Sequence, residues 1–497
     1  MKHHRTKIGS SAIALCLILL AGCTVGPKYR QPPVATPPSY KESGNWQVAQ
    51  PNDQRLGGNW WEIFNDPLLN SLEGQVNVNN QNLQAAEAQF RQARAVFRYD
   101  RADKFPTLTA GASAARTRVS ANRPPHTSIF NGITSTDFVL PFDLSYQIDA
   151  WGRIRRQVES ASEQAQASAA DLATVSLSMH ADLAVDYFQA RTLDAQEQLL
   201  NRTVSEYEKA LELTEQRFHG GVATILDVQQ AQTQLETTRG QAIDVGVARA
   251  QFEHAVAVLI GKPPAEFTLP PMPFSALPPS LPVGLPSELL QRRPDIAGAE
   301  RRVASANAQI GVAKAAYYPT LNLGASGGFE SGAITTLLSG PSILWSAGPS
   351  AVMTLFDGGR RRALNEEAQA AYDQTVANYR QTTLTAFQQV EDGLAALRIL
   401  DQEARVQAGA IAAAQQALST STNRYQGGVA TYLEVITAQN AALTNEVTGV
   451  NILGRRMATT VLLIQALGGG WDNSQLPTNL LSIDRNAPPA TSTSASR

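Results

Sequence analysis

Arg217-Phe218-His219-Gly220-Gly221-Val222-Ala223-Thr224 returns as Arg424-Tyr425-Gln426-Gly427-Gly428-Val429-Ala430-Thr431, and the two copies stand 207 positions apart, 217 against 424. Outward from this doublet the offset holds. Leu226-Asp227-Val228 matches Leu433-Glu434-Val435, Ala231-Gln232 matches Ala438-Gln439, and Gly261 matches Gly468. Upstream, Gly152-Arg153 pairs with Gly359-Arg360 at the same spacing. Farther back, Pro106-Thr107-Leu108 pairs with Pro319-Thr320-Leu321 at 213, so one inserted loop accounts for the difference of six. A unit duplicated over this length dictates the architecture.

The flanks of each doublet are helical in pattern. Runs from about Trp151 to Phe218 and from about Gly359 to Tyr425 carry heptad spacing, through Val158, Ala165, Leu172 and Met179 in the first and Ile411, Leu418 and Tyr425 in the second. At 1.5 Å per residue each would reach roughly 100 Å, too long to fold within one globular core. Each run stops at Gly-Gly, and a threonine then caps a returning helix. The return helices, Ile225–Ile260 and Tyr432–Leu467, keep the seven-residue period. A helix near 66–104 opens the first repeat. Arg293-Pro294-Asp295-Ile296 opens its counterpart, Ser287–Tyr317, with Pro in the first turn. The expected stacking sets Ile225–Ile260 in series with Ser287–Tyr317, and Tyr432–Leu467 in series with 66–104.

Between the helices lie strand pairs. Phe138, Leu140, Phe142, Leu144, Tyr146 and Ile148 alternate with Val139, Pro141, Asp143, Ser145, Gln147 and Asp149, the length and pattern of a transmembrane β-strand. Its partner, roughly Thr107 to Val119, is built mostly of Ala, Thr and Ser. The second half repeats the pair, with Leu321 and Leu323 in one strand and Trp345, Ala347, Ala351, Met353 and Leu355 on one face of the other. Pro141 and Pro349 inside these strands blur their ends. Four strands cannot close a barrel, and open edges are not tolerated in lipid, so chains must share one. Two chains would give eight strands and three would give twelve; only the larger leaves a water-filled bore.

The ends bound the location. Lys2, Arg5 and Lys7 precede an apolar run, Ser11 to Leu20, that is too short to span a bilayer. Leu20-Ala21-Gly22-Cys23 then resembles a bacterial lipobox, with Cys23 as the acylated, palmitate-bearing N-terminus and Thr24 after it favouring the outer membrane. Cys16, the only other cysteine, falls in the removed segment, which leaves no disulfide or thiolate metal site. The reading divides the chain into a signal peptide (1–22), a lipidated arm (23–65), repeat 1 (66–261, hairpin 106–149, tip 217–224), a Pro-rich equatorial linker (262–286), repeat 2 (287–471, hairpin 319–356, tip 424–431) and a disordered tail (472–497).

Lys plus Arg, 41, nearly balances Asp plus Glu, 43, so no basic field suggests nucleic acid. His126, His180, His219 and His254 lack metal-ligand spacing, there is no phosphate loop, and Gly324–Gly328, although it reads Gly-x-Ser-x-Gly, lacks the strand-to-helix context of a nucleophile turn or a nucleotide site. No enzyme activity, cofactor or metal is expected.

The lipobox, the doubled tips, Arg293-Pro294-Asp295-Ile296 and the closing Ala466-Leu467-Gly468-Gly469-Gly470-Trp471 together resemble the TolC-like outer-membrane factors, more narrowly the lipoprotein (NodT-like) branch serving resistance-nodulation-division (RND) efflux pumps. The resemblance covers nearly all of the mature chain. It implies a mixed α/β membrane protein: a trimer with a twelve-stranded β-barrel, a twelve-helix periplasmic α-barrel and an equatorial belt. It also implies a periplasmic adaptor and an inner-membrane RND-type transporter as partners. The exit of small toxic compounds such as drugs is the implied activity. A duct for protein or peptide secretion and a non-pore coiled-coil tether are the alternatives.

In similar proteins rings at the tips shut the periplasmic end. Leu433 matches the constricting leucine, with Leu226 its counterpart; coiled-coil packing is the competing reading. Thr437 stands where the family places an aspartate, and Asn440 where a polar or basic residue often follows, so no acidic ring is expected at that level. Acid appears instead at Asp227 and Glu434, about 100° around the helix from each leucine. These two are expected to bond with Arg217, Arg424 or Tyr425 across the tips as a latch, against the plainer reading of a solvated acid at a helix N-terminus. Gly220, Gly221, Gly427 and Gly428 serve the turns. The resemblance implies adaptor docking there, with Val222, Ala223, Thr224, Val429, Ala430 and Thr431 as the surface.

Overall fold

The computed structural model describes residues 24–43, 58–122, 132–272, 277–279 and 288–481. Cys23, the expected signal peptide (1–22) and residues 273–276 and 280–286 of the expected linker lie outside these residues. Among the described residues seven helices of more than ten residues carry the fold: α1 (Pro67–Asn79), α2 (Gln81–Ala102), α3 (Arg153–His219), α4 (Ile225–Leu259), α5 (Pro294–Ala315), α6 (Arg360–Gln426) and α7 (Tyr432–Ala466). α3 and α6 each run 67 residues, and α4 and α7 each run 35, so the duplication survives in length as well as in sequence.

The expected helix 66–104 is broken at Asn80. This residue is extended (φ −65°, ψ 121°), its side chain accepts from the Leu83 N–H, and its own N–H closes the last turn of α1. The break frees Asn80 Nδ2 to donate to the Leu259 carbonyl at 2.8 Å, one of the orphan acceptors at the end of α4. The mirror contact joins the other repeat, where Arg293 Nη1 donates to the Ala466 carbonyl at 3.0 Å. The stacking is therefore the reverse of the one expected: α4 continues α2, and α7 continues α5. Connectivity leaves both pairings open. The donors that cap the final carbonyls, Asn80 and Arg293, decide between them.

Four columns result, in the order α2 over α4, α3, α5 over α7, α6. α3 packs on α2 and α4 along one flank and on α5 and α7 along the other, and α6 packs on α5 and α7.

Above the columns lies one antiparallel sheet: β1 (Thr107–Ala110) and β2 (Ser113–Arg118) on β3 (Thr134–Ile148), β3 on β4 (Thr320–Ser331), and β4 on β5 (Ile343–Val352). β5 stops short of the expected Met353 and Leu355. β1 and β2 are one strand interrupted at Gly111, opposite Pro141, whose carbonyl accepts from Gly111 N–H at 3.0 Å. Pro349 stands on β5, which has no further partner among the described strands.

The register sorts the two faces. Phe142 is opposite Ala110 and Gly327, Leu144 opposite Leu108 and Ala325, Leu140 opposite Phe329, and Gly327 opposite Trp345, so one face is apolar from Leu140 to the end of β3, while Arg116, Arg118, Thr134 and Thr136 share it at the far end. The other carries Asp143, Ser145, Gln147, Thr107, Asn322, Ser326 and Ser346. This is the face pair of a lipid-facing wall around water. Phe142→Arg, near the middle of β3, is expected to cost about 2–4 kcal/mol and deplete heat-resistant oligomers. Asp143→Asn, its neighbour on the polar face, should leave assembly intact and shift ion selectivity.

A belt surrounds the level of the joints. Trp60, Trp61 and Phe64 pack with Leu69, Leu72 and Val76 of α1 against Tyr187 and Phe188 of α3. Inside it, Glu73 and His180 are buried, with His180 Nδ1 2.6 Å from Glu73 Oε2, His180 Nε2 3.0 Å from Asn77 Oδ1, and the Trp61 ring stacked on the imidazole at 4.4 Å. Burial raises the Glu73 carboxyl to about 9 and lowers His180 to about 4. Both groups are then neutral at pH 7, the acid donating to Nδ1 and Nε2–H donating to Asn77. The folded state holds a proton on Glu73 that the unfolded chain has released above about 4.5, so this term falls as pH rises. Below about 6.5 the neutral His180 gives the opposite slope. Stability is therefore expected to decline from about pH 6.5 to about 9, measured by thermal melting, with Glu73→Gln flattening that limb; an unchanged slope in the variant would place the titration elsewhere.

Residues 24–43 of the arm lie on the body. Arg156 Nη2 and Asn307 Nδ2 donate to the Pro27 carbonyl, Gln31 donates to Tyr379, and Glu391 accepts from the Lys41 and Glu42 N–H groups. The expected disordered tail, 472–497, needs correction over its first ten residues: Leu480 is 4% exposed, packed on Phe97, Ile154 and Val158. The rest of the tail lies outside the described residues.

Candidate functional site

The two tips are built by the same stop and restart. α3 ends at Gly220, and Gly221 turns left-handed at φ +75°, letting the Val222 N–H reach the Arg217 carbonyl at 2.8 Å. α6 ends at Gly427, Gly428 takes φ +76°, and the Val429 N–H reaches the Arg424 carbonyl at 3.0 Å. A non-glycine residue resists that φ, so the doubled glycine is a backbone requirement. Beyond each turn Val222 and Val429 project into solvent, with Ala223 and Ala430 half-buried.

Here the repeats part. Asp227 Oδ2 accepts from the Thr224 N–H at 2.8 Å and Oγ1 at 2.9 Å, while Thr224 Oγ1 accepts from the Asp227 N–H: a capping box. Glu434 is one methylene longer, Thr431 makes no side-chain cap, and the Glu434 carboxylate lies 3.7 Å from Arg424 of the same tip. Neither acid bridges the two tips within the chain. The latch expected from Asp227 and Glu434 is thus met only in part: Asp227 caps its own helix, the plainer of the two readings, and Glu434 pairs with Arg424, one of its expected partners, but within a single tip.

The tie between tips comes from Arg217. Its Nη1 donates to the Gln426 carbonyl at 3.0 Å, and its guanidinium lies 4.7 Å over the Tyr425 ring. Tyr425 packs against Tyr432 with tilted rings at 5.2 Å, and both are buried with Ala231 of α4 and Val435 of α7, flanked by Leu211 and Ile436. Burial raises the Tyr432 hydroxyl to about 12, and its hydrogen-bond partner is Thr214, whose own hydroxyl donates to the Ala210 carbonyl at 2.8 Å. Higher up, Gln234 of α4 donates to Asn440 of α7 at 2.8 Å.

Leu226 and Leu433 are each 58% exposed, outside this cluster. Coiled-coil packing within the chain therefore does not hold them. The Thr437 hydroxyl is turned back onto the Leu433 carbonyl at 2.8 Å. Tyr432, Thr214 and Gln234 escaped the sequence reading. The Tyr425–Tyr432 spacing around the turn was the available signal for the first.

At the opposite end of the columns, the Val25 N–H bonds to the Trp151 carbonyl at 3.0 Å, and Trp151 Nε1 donates to Pro319. The arm therefore starts at the level where the sheet meets the helices, two residues after Cys23.

An apolar-outside sheet standing on long paired helices with glycine-turned tips defines an outer-membrane channel with a periplasmic extension. The chain belongs to the Outer membrane efflux protein family, whose model matches residues 72–262 and 285–469. The toluene efflux pump outer membrane protein TtgF of Pseudomonas putida is 31% identical over 95% of this chain and 98% of its own length. The cation efflux system protein CusC of Escherichia coli is 29% identical over 92% and 98%. Among solved structures, the outer-membrane channel OprN superposes with a TM-score of 0.85 at 31% identity, covering 90% of this chain and all of that one. The Neisseria gonorrhoeae MtrE channel, in its open state, gives 0.79 at 26%, covering 91% and 99%. The chain is thus an outer-membrane efflux protein, the exit duct of a tripartite pump.

Proposed function

We propose that three copies of this chain close one duct, held to the outer membrane by lipid on Cys23, and that it exports small toxic compounds handed over by a periplasmic adaptor and an inner-membrane RND-type transporter. One observation carries this reading: a sheet apolar on one face and polar on the other, with β1/β2 and β5 as edges lacking further partners among the described strands. The helical wall is open in the same sense. α6 exposes Leu384, Ile399 and Val406, and α4 exposes Ile243, Val247 and Val258, apolar side chains that a neighbouring copy would cover. Relatives named for toluene, antibiotic and cation efflux support small-molecule cargo over peptides.

The purified lipidated protein should run as a heat-resistant trimer and conduct ions in planar bilayers. In a strain lacking its own exit duct it should restore export of at least one dye, drug or metal; a non-conducting monomer would refute the duct. For docking, Gly428→Val adds a side chain into open space but strains a left-handed residue by about 1–2 kcal/mol. Resistance should be lost while trimers persist. Loss of trimers as well would reduce the tip to a structural turn.

A further inference from the structure

The four places where strands give way to helices lie at one level. Ile148, the end of β3, pairs with Leu321, and Thr320, the start of β4, pairs with Val352 at the end of β5; Thr107, the start of β1, pairs with Ser145. The corners just below are basic. Residues 98–105, 149–157, 311–319 and 356–363 hold ten Lys or Arg against four Asp or Glu. Ion pairs occupy four of the ten: Arg155 with Asp149, Arg156 with Glu159, Arg361 with Asp357 and Arg362 with Glu366. Arg98, Arg101, Lys104, Arg153, Lys314 and Arg360 have no ion pair among the described residues. Two acids, Asp100 and Asp103, remain to serve all six, so at least four cations per chain go unmatched.

Apolar and aromatic side chains alternate with these charges. Phe105, Tyr317, Tyr318 and Phe356 are exposed at the same level, and Trp151 stacks on Tyr318 at 4.9 Å. Aromatic rings with cations mark the plane where hydrocarbon meets headgroups. Direction is fixed by the arm. Asn307, Gly311 and Lys314 follow at helical spacing on one face of α5, and the first two touch Pro27 and Gly26. Arg153 precedes by one turn Arg156, which also holds Pro27. Lys314 and Arg153 thus share the arm's side of the wall.

We infer that these corners form a collar binding the anionic phospholipid headgroups of the periplasmic leaflet. The inference rests on the outer-membrane duct reading and adds a ligand to it. Uncompensated cations in a plane of exposed aromatic rings attract anionic lipid by charge complementarity, and phosphodiester oxygens accept the hydrogen bonds that Arg and Lys have to give. Threefold assembly would repeat the set around the barrel.

The test uses lipidated trimers in nanodiscs of equal parts phosphatidylethanolamine and phosphatidylglycerol, with the lipid retained after a detergent wash identified by mass spectrometry. Phosphatidylglycerol should be enriched several-fold over phosphatidylethanolamine. Enrichment should fall toward the bulk ratio in Lys104→Gln/Arg153→Gln/Lys314→Gln/Arg360→Gln, or in Arg153→Gln/Lys314→Gln alone should the fourfold variant assemble poorly. No enrichment in the unaltered protein overturns the collar, as does equal enrichment in the variants. Displacement of the lipid by millimolar inorganic phosphate also overturns it, since the corners would then be a free-phosphate site. Conductance of the same trimers in phosphatidylcholine tests the duct separately.

Discussion

Gly468→Val is expected to remove the folded oligomer from the outer membrane. Gly468 takes φ +95°, and a Cβ there would stand 2.0 Å from the Arg292 carbonyl oxygen and 2.8 Å from its carbon. The clash is with backbone, at the joint where α7 hands over to α5, so no rotamer change relieves it. The left-handed conformation alone costs a branched residue about 1–2 kcal/mol. The overlap raises the total to about 4 kcal/mol or more, beyond what most single substitutions do. Gly261, at the same offset in the first repeat, takes φ +72° with a Cβ position 2.4 Å from the Asn79 carbonyl oxygen, so Gly261→Val should behave alike. Gly221→Ala is the control: φ is +75° but nothing lies within 4 Å, and its cost should stay near 1 kcal/mol. Heat-resistant trimers and urea midpoints would be compared across the three. A Gly468→Val protein as stable as Gly221→Ala would show that the joint slides apart freely and does not fix the columns.

Those two glycines show what the sequence could and could not disclose. Their duplication at 207 was plain, yet its cause was not, because a close backbone approach leaves no mark beyond the glycine itself. The long helices, the tips and β3 were legible, since heptads, Gly-Gly stops and strict alternation are local signals. The end-to-end pairing of the shorter helices was not local. It depends on Asn80 and Arg293 finding carbonyls at the ends of helices 179 and 173 residues away, and it came out reversed from the expectation. The break at Asn80 was equally hidden, since neither Pro nor Gly marks it. At the tips, the aligned acids Asp227 and Glu434 look interchangeable in sequence. One methylene separates a carboxylate that closes a capping box from one that reaches Arg424. The role assigned to both acids therefore passes to Arg217, whose target is a carbonyl and a ring and so carries no charge pattern to read.

Arg217→Ala is accordingly expected to raise resting conductance, where Asp227→Ala is not. The arginine contributes a hydrogen bond to the Gln426 carbonyl and a cation–π contact with Tyr425, together about 1–2 kcal/mol for a half-buried group. It joins the end of α3 to the end of α6, so its loss frees one tip from the other instead of unwinding either. Three copies acting together would multiply the bias to about 3–6 kcal/mol, two to four powers of ten in the closed-to-open ratio at 1.4 kcal/mol per decade. Asp227→Ala removes only the capping box, a local loss of about 1 kcal/mol at the start of α4. Lysine at position 217 keeps the charge but not the planar stack, and should recover part of the closure. Single-channel recordings in planar bilayers, with antibiotic leak in cells, separate the cases. Raised conductance in Asp227→Ala beside unchanged conductance in Arg217→Ala would return the latch to the acid and take it from the arginine.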